Sequence, residues 1–228
     1  RLPMRGKPAL IAVCGKGGVG KTSISAVMVR HFLKNSENKV LAIDAEPEVG
    51  LAPALGISAG RTVDDVRNDL IRRMEGGLKA DKADVLAMLD YEMFSALQEN
   101  QNLAFLAIGR PEKEGCYCQV NHILKDIISS MAGNFDVVVI DGEAGVEQVN
   151  RRVMEKVTHL VLVSDGSVKG LNVVKTIKAV SDATIDYNTA GLILNRLRGG
   201  EELGRIKLPA ELNLIGWVPE DDSIRSAD

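Results

Sequence analysis

The sequence predicts an α/β fold, a mostly parallel sheet with helices on both faces. Three observations predict it. An apolar run at 9–13 meets a glycine-rich turn and then a helical pattern carrying Ile24, Val27, Met28 and Phe32. A polar run at 34–38 joins that helix to a second apolar run at 39–43, and strand, helix and strand on short connections make a right-handed crossover. The run at 135–141 is apolar almost throughout, the composition of a strand buried in the middle of a parallel sheet.

A chain of 228 residues with 45% hydrophobic content supports one well-buried domain and is short for two. We therefore expect a single domain over 1–228, with a helical insertion at about 76–100. Net charge is −3 and the sequence pI about 5.7, so there is no overall basic field to hold nucleic acid. No apolar run approaches the roughly 20 residues of a spanning helix, and no signal peptide is visible. The expectation is a soluble, cytoplasmic protein without nucleic-acid or membrane partners. The chain starts at Arg1 and the stretch before Asp228 reads as loop, which fits a chain trimmed to its ordered part.

The first strand delivers Gly15-Lys16-Gly17-Gly18-Val19-Gly20-Lys21-Thr22, followed by Ser23. This is a complete phosphate-binding loop in the strand–loop–helix context it needs, so the fold narrows to a phosphate-loop NTPase. Glycines let successive N–H groups turn toward phosphate oxygens, and the positive end of the next helix adds to the field. Lys21 lies along the β- and γ-phosphates of ATP, and the Thr22 hydroxyl reaches Mg²⁺. Cys14, the last residue of that strand, reads as a small core residue.

Lys16 is unusual, because the common motif tolerates almost anything there and Lys21 already serves the phosphates. With this second lysine the chain resembles the deviant Walker A ATPases. That group includes nitrogenase iron protein, the MinD and ParA partition ATPases, arsenite-pump ATPases and metallocentre-maturation ATPases. The resemblance implies that Lys16 crosses a dimer interface to the partner's nucleotide, as an arginine finger does, and that ATP is hydrolysed by a homodimer.

The second strand ends in Asp44-Ala45-Glu46-Pro47, at the sheet edge where open parallel sheets place ligands. By resemblance Asp44 supports Mg²⁺ and Glu46 orients the attacking water. Glu46 departs from the family's aspartate; its longer reach predicts slow turnover. Residues 50–60 read as loop. Thr62 then caps an amphipathic helix with Val63, Val66, Leu70, Ile71 and Met74 on one face, broken by Gly76 and Gly77. The stretch 79–99, with Val85, Leu86, Leu89, Phe94 and Leu97, reads as one or two short helices beside the sheet, its methionines belonging to the core.

A strand at 102–108 feeds a loop ending in Gly115-Cys116-Tyr117-Cys118. Two thiols one residue apart make a badly strained disulfide, yet both can face one soft ion. One chain then offers two of the four ligands of a tetrahedral site, and two chains about a two-fold axis offer four. Together with the lysine-rich loop, the preceding Gly109-Arg110-Pro111 and the following Asn121, the pair resembles a particular branch of the family. These are the accessory ATPases that insert nickel into carbon monoxide dehydrogenase or acetyl-CoA synthase, which carry Gly-Cys-x-Cys-x-x-Asn here. The resemblance implies a dimer-bridging site for Ni²⁺ or Zn²⁺, both of which accept thiolates, and a client apo-enzyme.

A helix at 121–131 leads to the central strand and its terminal Asp141, which fits the Walker B carboxylate that reaches Mg²⁺ through water. Gly142-Glu143-Ala144-Gly145-Val146-Glu147 follows as a second switch, where Gly145 lets the backbone sense the γ-phosphate and Arg151 or Arg152 matches a family arginine. The cysteine loop is thus wired between two nucleotide sensors. A strand at 159–163, a helix at 168–181 and a strand at 190–195 complete the pattern. By resemblance Asn195 hydrogen-bonds the adenine, and 216–220, including Pro219 and Glu220, forms the second wall of the base pocket. His31, His122 and His159 lack ligand spacing and read as structural, with His122 a weak candidate beside the thiols. Two other functions remain open: a spatial switch of the MinD or ParA type, and an electron carrier like nitrogenase iron protein.

Overall fold

The computed structural model describes residues 7–76, 82–110, 118–142, 149 and 153–221. Among these, eight strands form one sheet: β1 (Ala9–Gly15), β2 (Val40–Asp44), β3 (Gln98–Asn100), β4 (Leu103–Ala107), β5 (Val137–Asp141), β6 (His159–Ser164), β7 (Thr189–Leu197) and β8 (Leu214–Pro219). Their order is β3-β4-β2-β5-β1-β6-β7-β8, with every pairing parallel except β3 with β4. The apolar run around Val139 is indeed central, and all five residues of β5 are buried.

Strand periodicity divides the core in two. Ile11, Val13, Val40, Ala42, Val137 and Val139 face α1 (Lys21–Leu33) and α2 (Leu51–Leu55). Ala12, Cys14, Leu41, Ile43, Val138 and Ile140 face the other layer, built from α3 (Val63–Glu75), α4 (Lys82–Ala96), α5 (Cys118–Ala132) and α6 (Val168–Thr184). A short α7 (Gly200–Arg205) follows β7. This parity positions the site. Asp44 and Asp141 fall on the α1 side of their strands, as does Gly15 at the head of the phosphate loop.

The α3 start is as the sequence predicts. Thr62 Oγ1 accepts from the Asp65 N–H (3.1 Å), and Asp65 Oδ2 accepts from the Thr62 N–H (2.8 Å), a complete capping box. Thr62→Ala is expected to cost about 1 kcal/mol, read as a small fall in the midpoint of urea unfolding at unchanged slope. An unchanged midpoint would show that packing alone holds this end.

Several expectations shift. Met74 stands 47% exposed, three residues beyond the end of the stripe that buries Val63, Val66, Leu70 and Ile71. The 50–60 stretch contains the short α2, which packs Leu51 and Ala52 against α1's side of the sheet. Within the stretch expected to be a helical insertion, the described residues form one helix, α4, followed by a hairpin edge strand, β3, whose polar Gln98-Glu99-Asn100 gives no apolar signal. Helix α4 turns Leu89 and Met93 inward and leaves Phe94 64% exposed. Glu92 ties it to Arg61 and, at 3.4 Å, to Arg73 of α3. Among the described residues no helix is long and apolar enough to cross a membrane.

Candidate functional site

The carboxyl ends of β1, β5 and β2 lie side by side, with Val13 opposite Asp141 and Asp141 opposite Asp44. Above them runs the phosphate loop. It leaves β1 at Gly15, where a side chain has no room: a Cβ would stand 2.2 Å from the Val163 carbonyl oxygen on β6. Gly18 (φ 76°) and Gly20 (φ 90°) take the left-handed conformation that curls the loop. Gly20 is also the N-cap of α1 and no side chain caps that end, so the first N–H groups of a 13-residue helix face outward, the arrangement that receives a phosphate.

Lys21 is 6% exposed, and its Nζ sits 2.9 Å from Oε1 of Glu46. Lys16 is half-buried and makes no hydrogen bond or ion pair among the described residues. Gly17 and Ser23 are exposed, Val19 is buried, and Thr22 is half-buried, its methyl group 3.6 Å from where a Cβ on Gly50 would be.

Asp44 is fully buried and held at both oxygens: Oδ1 accepts the Glu46 N–H (3.1 Å) and Oδ2 the Leu51 N–H (2.8 Å). Burial raises its pKa, and the two backbone hydrogen bonds oppose that rise. Asp141, also fully buried, accepts the Ser25 hydroxyl at Oδ1 (2.9 Å), while its Oδ2 has no partner. Burial pushes Asp141 up to about 6, the Thr22 and Ser25 hydroxyls pull it down, and the charges of Asp44 and Glu46 push it up. Cys14 is sealed beneath them, its thiol pushed up to about 12 by burial, which makes it the inert core residue expected.

A buried carboxylate oxygen without a donor wants a cation or a water bound to one. The orphaned Oδ2 of Asp141, the Thr22 hydroxyl and the neighbouring Asp44 are hard oxygen donors, which suits Mg²⁺ held by one or two carboxylates and substrate phosphates. Among the described residues no group of three or more His, Cys, Asp or Glu side chains is gathered to hold a metal ion by itself.

Asn195 comes to the loop from β7. Its parity puts it on the α1 side, where it is buried and its Nδ2 donates to the Val19 carbonyl (2.8 Å). Pro219 and Glu220 are exposed beside it: Pro219 pairs with Leu197, whose carbonyl accepts the Glu220 N–H at 2.8 Å. The structure therefore gathers residues 15–23, Asp44, Glu46, Asp141 and Asn195 at one edge, with the β8 end alongside. Cys116, Gly145, Arg151 and Arg152 lie outside the described residues. Cys118 opens α5, but its side chain is also outside them. His122 is 66% exposed, 3.7 Å from Asp126 one turn along.

Sequence reasoning missed Ser25. It lies four residues after Lys21, on the same inward face of α1, and that spacing was the available signal. The backbone links Ala45 N–H to Asp141 O (2.9 Å) and Ile108 N–H to Asp44 O (2.8 Å), which lock the ends of β5, β2 and β4 together, have no sequence signature.

Residues 10–228 match the profile described as the CobQ/CobB/MinD/ParA nucleotide binding domain. An uncharacterized ATP-binding protein of Methanocaldococcus jannaschii is 33% identical over 96% of this chain and 87% of its own length. The carbon monoxide dehydrogenase accessory protein CooC of Rhodospirillum rubrum is 28% identical over 96% of this chain and 86% of its own. Among solved structures, the septum site-determining protein MinD of Pyrococcus horikoshii complexed with Mg-ADP superposes with a TM-score of 0.61 at 23% identity, covering 96% of this chain and 84% of that one.

Proposed function

The chain belongs to the CobQ/CobB/MinD/ParA nucleotide-binding family, and from that membership we propose that it is an ATP-hydrolysing metallochaperone. In this reading a homodimer binds Ni²⁺ or Zn²⁺ through Cys116 and Cys118 of both chains and assists nickel insertion into apo-carbon monoxide dehydrogenase or acetyl-CoA synthase. The observation that carries it is topological. In sequence the Cys-Tyr-Cys stretch falls after β4 and ends at the first residue of α5, so it lies in the chain between the strand beside Asp44 and the strand that ends in Asp141. The likeness to a carbon monoxide dehydrogenase accessory protein along 96% of the chain supports the same reading.

The ATP phosphates lie against the N–H groups of the loop and the α1 end, with Lys21 neutralising charge on the β- and γ-oxygens. Mg²⁺, when bound, neutralises charge on the phosphate oxygens. Asp141 would face the metal's shell with its free Oδ2, while Ser25 fixes Oδ1. Asp44 braces the 46–51 segment through two backbone N–H groups. Glu46 accepts a hydrogen bond from the attacking water, and Lys16 from the partner chain faces the charge developing on the γ-phosphoryl group. Asn195 holds the loop at Val19 and borders the base, with Pro219 and Glu220 beyond it.

Anaerobic titration with Ni²⁺ and Zn²⁺, with molecular mass recorded alongside, tests the proposal. One tight ion per two chains is expected, lost in the Cys116→Ser, Cys118→Ser double variant while ATP binding persists. No tight binding, or binding indifferent to the serines, would sink the nickel reading. The MinD-type spatial switch would then take its place.

A further inference from the structure

We propose that Glu46 is a positioning residue for Lys21, a latch that nucleotide phosphate must open, so that its length sets nucleotide affinity. This rests on the nucleotide-binding reading of the loop but not on the metal reading. Lys21 is 6% exposed and stands in the positive field of the α1 end, so an ammonium there needs a counter-charge. The Glu46 carboxylate supplies it at 2.9 Å.

The backbone of residue 46 cannot move to compensate for a shorter side chain. Its N–H is fixed on the buried Asp44 Oδ1 (3.1 Å), and Pro47 restricts its backbone angles. An aspartate would therefore fall short of Lys21 by about one C–C bond, roughly 1.5 Å. The same turn carries a second mark of constraint. Val49, whose N–H bonds the Glu46 carbonyl at 3.3 Å, has φ 43°, a conformation that a β-branched residue adopts only under strain. Next to it, Gly50 approaches Thr22. Phosphate oxygens and Glu46 compete for one ammonium. Binding thus breaks the pair, frees the Glu46 carboxylate for water, and lets the 46–50 turn relax.

The thermodynamic consequence is specific. A contact present only without nucleotide stabilises the free protein and weakens binding by the same factor, whereas a merely structural contact stabilises both states. Mg-ADP affinity, measured calorimetrically on the whole protein, is expected to rise at least fivefold in both Glu46→Asp and Glu46→Gln. Glu48→Gln, an exposed carboxylate on the same turn, should leave it unchanged. The nucleotide-free Glu46→Asp protein should melt lower than wild type, and saturating Mg-ADP should remove the difference. Tightening in Glu46→Gln alone would reduce the effect to long-range charge and overturn the latch. So would unchanged affinity, or a melting difference that persists with Mg-ADP. If the wild type itself bound no Mg-ADP, the nucleotide reading would fail with it, a distinct result.

Discussion

Lys16→Ala is expected to lower ATP hydrolysis by about three orders of magnitude while Mg-ATP binding stays within a few-fold of wild type. The two loop lysines have different surroundings. Lys21 is buried and paired with Glu46, and in the proposed reading it serves its own chain's phosphates. Lys16 is half-buried and makes no polar contact among the described residues, and in the proposed reading it acts on the partner chain's nucleotide. A cation reaching phosphoryl oxygens only in the transition state changes turnover and not affinity. Mixing supplies the decisive measurement. In a dimer of one Lys16→Ala chain and one Asp141→Asn chain, the first retains Asp141 and receives Lys16 from the second. Random pairing should restore about a quarter of wild-type turnover, since half the dimers are mixed and one site in each works. If equal mixtures stayed inactive, Lys16 would act within its own chain and the arginine-finger role would be wrong.

Asp141→Asn separates stability from activity. Without the carboxylate, hydrolysis should fall about 100-fold or more, whereas the metal-free protein should gain on wild type as pH rises. The sign follows from the direction of the shift. Burial pushes Asp141 up to about 6 from an ordinary 3.8, so the native state holds its proton more tightly than the unfolded chain. The native carboxylate therefore destabilises the fold. That cost is absent below 3.8, grows between 3.8 and 6, and is complete above 6, on the order of 2–3 kcal/mol. Urea midpoints in chelator at several pH values should show the variant's relative stability improving from pH 4 to 7. If the variant's stability relative to wild type improved as the pH fell instead, the carboxylate would be a stabilising partner, contrary to the orphaned Oδ2.

Much of this site was legible because its information is local. The glycine spacing of 15–22, the strand-end positions of Asp44 and Asp141 and the Thr62 cap are each written within a few residues. Strand parity even places both carboxylates on the same face, because side chains alternate with period two. Local pattern failed where tertiary packing set the outcome. Met74 and Phe94 are apolar yet exposed, because α3 and α4 present other residues to the sheet. The polar β3 exists because β4 offers it a partner edge.

What the sequence by itself determined is the strand–loop–helix unit, the mostly parallel direction of its strands, and the side chains set at its ligand edge. Only the tertiary structure decided how those side chains pair: Ser25 with Asp141 across 116 positions, Asn195 with Val19 across 176, Glu46 with Lys21. The physical reason is that such contacts have no local periodicity. Each is fixed by the order in which strands enter the sheet and by the requirement that a polar group taken out of water find a partner.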